Sequence, residues 1–86
     1  MHAHLVTVDI DDPDEAVDGL AQLIPTVKAS PGFVAGYWVR LAEGQGASLT
    51  VFETEEQAHA TAPAVGTVGG GVTVTTVQFG EVLASA

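Results

Sequence analysis

Few side chains in this chain could do chemistry. None of its 86 residues is Cys, which excludes thiolate nucleophiles, disulfides and Cys-based zinc sites. His4 is the residue best suited to acid–base work, because imidazole titrates near neutrality. Strand alternation puts it with Val6 on the more apolar face of a first strand, predicted over Ala3–Ile10 and facing the helices. Tyr37 falls in the aliphatic set of a second strand, where its phenol would orient a hydroxylated ligand in the same space. His59 lies one residue off the apolar stripe of a second helix, and Glu53 ends a third strand. With Val6 they complete a candidate pocket around His4 and Tyr37. The plainer reading is structural: a hydrogen-bonded His4, a core Tyr37 and a solvated His59. His2 and His4 share a strand face, as a metal pair would, but no spacing demands a third ligand, so no metal and no cofactor are expected. Ser48 has no Gly-x-Ser-x-Gly elbow around it and is not a nucleophile candidate.

The elements that must position these residues centre on Pro31–Ala58. Gly32–Leu41 and Ala47–Glu53 are rich in aromatic and β-branched residues and read as strands, with Gly44 and Gly46 supplying the turn. Matching their apolar faces predicts Leu41 opposite Leu49, Val39 opposite Val51, Tyr37 opposite Glu53 and Trp38 opposite Phe52. Thr54-Glu55-Glu56-Gln57 is a capping-box pattern that starts a helix directly after the strand. Upstream, Asp12 and Pro13 open a first helix with an apolar stripe of Val17, Leu20, Ala21, Ile24 and Val27. Pro25 predicts a kink or an irregular last turn. Downstream, Pro63 ends or bends the second helix, Gly66–Gly71 reads as a flexible connector, and Val72–Leu83 is the last strand. Strict alternation there sends Val72, Val74 and Thr76 to one face, and Val77 and Phe79 to the other.

The order is β-α-β-β-α-β within one domain over residues 1–86. It predicts an α+β, ferredoxin-like fold: an antiparallel four-stranded sheet with two helices on one face. Leu5, Trp38, Phe52 and Phe79 then fall on the uncovered face, as does Arg40. An apolar sheet face left in water predicts a homodimer joined sheet to sheet through these residues. Arg40 would pair with Glu53, Glu81 or a partner-chain acid, or hold an anionic ligand.

The net charge is −9, with Lys28 and Arg40 the only cations. Nucleic acid and anionic membrane surfaces both require clustered cations, so neither is an expected partner. No apolar run reaches membrane-spanning length, and the Met1–Val6 start lacks a signal-peptide pattern, which makes the cytoplasm the expected location.

The element order, Pro31-Gly32-Phe33 at the entry to the second strand, and Val51-Phe52-Glu53-Thr54-Glu55-Glu56 leading into a helix carry a resemblance. Over nearly the whole chain they resemble the dimeric α+β barrel superfamily, most closely its antibiotic-biosynthesis-monooxygenase-like branch. The resemblance implies a dimer with a pocket between sheet and helices in each subunit. It also implies a small apolar or aromatic ligand, and an activity such as cofactor-independent oxygenation or isomerisation; a non-catalytic ligand-binding or interaction dimer is the alternative. Haem-degrading relatives carry an Asn on the first strand and a Trp on the third, where this chain has His4 and Phe52, and the chain contains no Asn.

Overall fold

Capping chemistry punctuates the chain as its sequence suggests. In the computed structural model, which describes Met1–Ala86, strand β1 (His2–Ile10) runs into Asp12. The Glu15 amide donates to the Asp12 carboxylate at 3.1 Å, and Pro13 opens helix α1 (Pro13–Lys28). Pro25 lies inside that helix, which continues to Lys28. Strands β2 (Phe33–Arg40) and β3 (Gln45–Phe52) form the central hairpin. Helix α2 (Glu55–Thr61) starts on the expected capping box: the Gln57 amide donates to Thr54 Oγ1 at 3.2 Å, and the Thr54 amide donates to Gln57 Oε1 at 3.1 Å. It stops where Ala62, extended at φ −73° and ψ 136°, precedes Pro63.

The last part of the chain departs from expectation. Gly66–Gly71 is not a loose connector. It contains a short strand, β4 (Val68–Gly69), which pairs with β5 (Val72–Glu81) across a turn made by Gly70 and Gly71 at φ +57° and +77°. The Gly71 carbonyl accepts from the amides of Asp11 and Asp12 at 2.8 and 3.1 Å. The glycine turn therefore seats the start of α1. The sheet has five antiparallel strands in the order β2-β3-β1-β5-β4, one more than expected, and with its two helices is compatible with a ferredoxin-like α+β fold.

The central hairpin is displaced by four residues from the predicted register: Trp38 faces Ser48, Val39 faces Ala47, and Arg40 faces Gly46. The turn is tighter than the glycine spacing predicts. Leu41 donates its amide to the Gln45 carbonyl at 2.8 Å, Glu43 and Gly44 take positive φ, and Gly46 belongs to the strand. An even displacement leaves every side chain on its own face.

Two bulges decide which residues share a face. Thr7 faces Thr76 while Val8 faces Val74, so Thr75 is the extra residue, and its hydroxyl donates to the Thr7 carbonyl at 3.0 Å. The change of parity gathers Val72, Val74, Val77 and Phe79 on the face of His4 and Val6. A second irregularity sets Phe33 opposite Phe52 but Ala35 opposite Val51, with Val34 extra. Phe33 thus meets Phe52 edge-on at 6.2 Å, while Ala35, Tyr37 and Val39 turn to the outer face. Gly36, Trp38 and Arg40 turn inward with Ser48, Thr50 and Phe52. Trp38, Arg40, Phe52 and Phe79 therefore lie on the helix side, against the sequence expectation, and only Leu5 of that set remains outside. Tyr37 is corrected the other way.

Only nine of the 86 residues are buried, so the chain leaves much apolar surface open. Phe52 is fully buried, between the rings of His4 and Phe33, and Ala58 brings α2 down beside them. Leu5, Tyr37, Val39 and Leu49 stay exposed on the outer face.

Candidate functional site

The inner face is paved with small groups where α1 crosses it. Gly46, Ser48 and Thr50 cannot fill the space to the helix, and no residue of α1 is buried. A cavity of about 610 Å³ remains between helix and sheet. That volume lies within the roughly 300–1,000 Å³ of small-molecule sites. Its walls are mainly aliphatic, with Val6, Val8 and Val74 from the strands and Leu20, Leu23 and Val27 from α1.

His4 and Arg40 are the only ionisable side chains in these walls. The His4 ring is tilted against Phe52 at a centroid distance of 5.6 Å, and the residue is only 6% exposed. Its Nδ1 is buried with no hydrogen-bond partner. An unsatisfied buried ring nitrogen is a costly feature that a bound polar group would relieve. Burial lowers the His4 pKa below 6.5, against a smaller opposing effect of a backbone hydrogen bond. His4 is therefore neutral at neutral pH, with a free lone pair on one nitrogen. Thr50, 2% exposed, faces it across the strand pair, and Ser48 faces Val6.

Trp38 lines the cavity from β2, on the same inner face of the sheet as His4. A Cβ built on Gly36 would lie 2.7 Å from the edge of the Trp38 ring, so the absence of that atom lets the indole lie along the sheet. Arg40 is exposed at the border of the cavity and makes no ion pair; the chain's one salt bridge joins His59 and Glu55 at 3.8 Å.

The predicted pocket residues are thus only partly brought together. His4 and Val6 line the cavity. Tyr37, 63% exposed on the outer face, cannot act with them. Glu53 is exposed just beyond β3, its amide bonded to the Gly32 carbonyl at 2.9 Å. His59 stacks on Phe79 at 3.7 Å and belongs to a separate cleft of about 220 Å³ with His2, Glu55 and Glu81. No group of three or more His, Asp or Glu is placed to hold a metal ion. Sequence reasoning missed Trp38, Ser48 and Thr50 as cavity residues. Their signal was the small-residue set Gly46, Ser48 and Thr50, which reads as weakly apolar but marks open space.

No helix is long and apolar enough to cross a membrane. Neither a family model nor a curated protein matches the chain.

Proposed function

We propose that this chain forms a two-fold dimer of the dimeric α+β barrel kind, whose cavity takes a small apolar or aromatic molecule. His4 acts there as the base of a cofactor-independent isomerase or monooxygenase. One observation carries the reading: a neutral, buried histidine with an unpartnered Nδ1 in the wall of an apolar cavity. A base in that setting takes a proton from a bound carbon acid or phenol and holds it away from water. Returning the proton to another carbon is an isomerisation. Oxygenation of an activated methylene balances with dioxygen alone. One oxygen atom becomes the carbonyl, and the other leaves as water with the two methylene hydrogens.

Anthrone is a suitable probe, since its acidic methylene becomes the carbonyl of anthraquinone by that stoichiometry. The chain is expected to accelerate the conversion, with kcat/KM rising as pH increases through a pKa below 6.5 and then levelling. The sign follows from His4, which is the active base only when deprotonated. His4→Gln should lower turnover about 100-fold or more. Unchanged turnover in that variant would remove His4 from the chemistry. Binding of anthrone without turnover would favour the second reading, a non-catalytic ligand-binding dimer. That reading is supported by the outward position of Tyr37, which leaves His4 without an ionisable helper other than Arg40.

The dimer rests on the outer face, where Leu5, Tyr37, Val39 and Leu49 stand exposed on adjacent strands. At about 25 cal/mol per Å² of apolar area, covering them with a second copy contributes several kcal/mol. Sedimentation at micromolar concentration should give twice the 8.7 kDa chain mass, and Leu49→Asp should return it to one. A wild-type particle of single mass would dismiss the dimer.

A further inference from the structure

We infer that the cavity selects ligands carrying a carboxylate, with Arg40 holding the anionic end at the border and the apolar body lying beneath α1 towards His4. The inference rests on the small-molecule reading of the cavity and narrows its ligand class. Arg40 is one of only two cations in a chain with eleven acidic residues, yet it has no acidic partner within the subunit. Its strand position turns it onto the inner face, beside Gly46 and Val8, where it borders the cavity. A planar guanidinium left free there matches a carboxylate in shape and charge. The strand register separates the rows of Arg40 and His4 by four residues of β1, from Val8 to His4. That corresponds to about 13 Å along the sheet. An apolar ligand anchored at Arg40 therefore spans the cavity lengthwise before it meets the histidine.

Charge decides what kind of anion fits. The net charge of −9 repels a small inorganic anion, which also gains nothing from an aliphatic wall. An amphiphilic carboxylate gains its affinity from burial of the body, and Arg40 then sets the preference for the acid over a neutral analogue.

Trp38 supplies the readout, as the only Trp in the chain and a residue of the cavity wall. Decanoate and 1-decanol share a chain length and differ in the head group. Titration of each into the full chain, followed by Trp38 fluorescence, should show decanoate binding about tenfold tighter. Arg40→Gln should abolish that difference, bringing the decanoate affinity to that of 1-decanol. Equal affinities for the two probes in the wild-type chain would overturn the carboxylate preference and leave the cavity reading standing. A preference that survives in Arg40→Gln would equally overturn the role of Arg40. Failure of both probes to bind or to perturb Trp38 would overturn the proposal together with the cavity reading beneath it.

Discussion

Phe52→Ala should lower the unfolding free energy by about 3–5 kcal/mol, the usual cost of emptying a buried aromatic site. Phe52 is the largest fully buried side chain, and the rings of His4 and Phe33 pack on it at 5.6 and 6.2 Å. The cost should fall at the high end, because the neighbours cannot collapse into the gap. His4 and Phe33 are held on separate strands, each paired in the sheet, and Ala58 above is too small to descend. A domain of this size is stable by about 5–15 kcal/mol, so the change removes a large part of the whole. Chemical denaturation followed by circular dichroism measures it. Tyr37→Ala, at a residue 63% exposed on the outer face, is the matched control. At a protein concentration that keeps the chain monomeric, it should cost less than about 1 kcal/mol. Equal losses in the two variants would mean that the core is not gathered around Phe52.

Gly71→Ala should cost about 2–4 kcal/mol and loosen the cavity as well. Gly71 sits at φ +77°, where any Cβ adds about 1–2 kcal/mol of strain. Space adds a second penalty. The new Cβ would lie 2.6 Å from the Asp12 carbonyl oxygen and 2.9 Å from the Ala16 amide nitrogen. Both are backbone atoms of the start of α1, so relief requires moving the helix. Two hydrogen bonds from Asp11 and Asp12 to the Gly71 carbonyl would strain with it. The Gly69→Ala variant meets nothing within 4 Å and controls for a general effect of altering the glycine turn. The two should separate clearly in denaturation midpoint, and amide hydrogen exchange should rise across the first turns of α1 only for Gly71→Ala. Similar midpoints would mean that the turn does not anchor the helix.

Both predictions turn on features that alternation cannot see. An unbroken period of two, with the aliphatic set turned to the helices, predicts the wrong side for Trp38, Tyr37, Phe52 and Phe79. The extra residue Thr75 changes the parity of β5, and Val34 separates the facing of Phe33 from that of Tyr37 and Trp38; Phe52, on the unbulged β3, turns inward because its pairing with β1 puts it on the face of His2 and His4. After Thr75, the two apolar halves of β5 meet on one face, and the aliphatic set of the central hairpin turns to the other. The displaced hairpin register, by contrast, altered no face. It came from giving Gly46 to the turn when Glu43 and Gly44 supplied the positive φ.

Residue types and spacing alone reveal the two helices with their starts and every strand except β4, and mark Pro63 as a place where α2 ends or bends, because caps and proline act through a few neighbouring atoms. It also singled out His4 as the base candidate, since residue type and strand position were enough. Tertiary structure alone decided which faces the bulged strands present, that Gly70 and Gly71 seat α1, and that His4 shares a cavity with Trp38 and Arg40 rather than with Tyr37 and His59. The physical reason is that a bulge is a property of two paired strands, and an open volume a property of three or more elements at once. Neither is written in the spacing of residues along one segment.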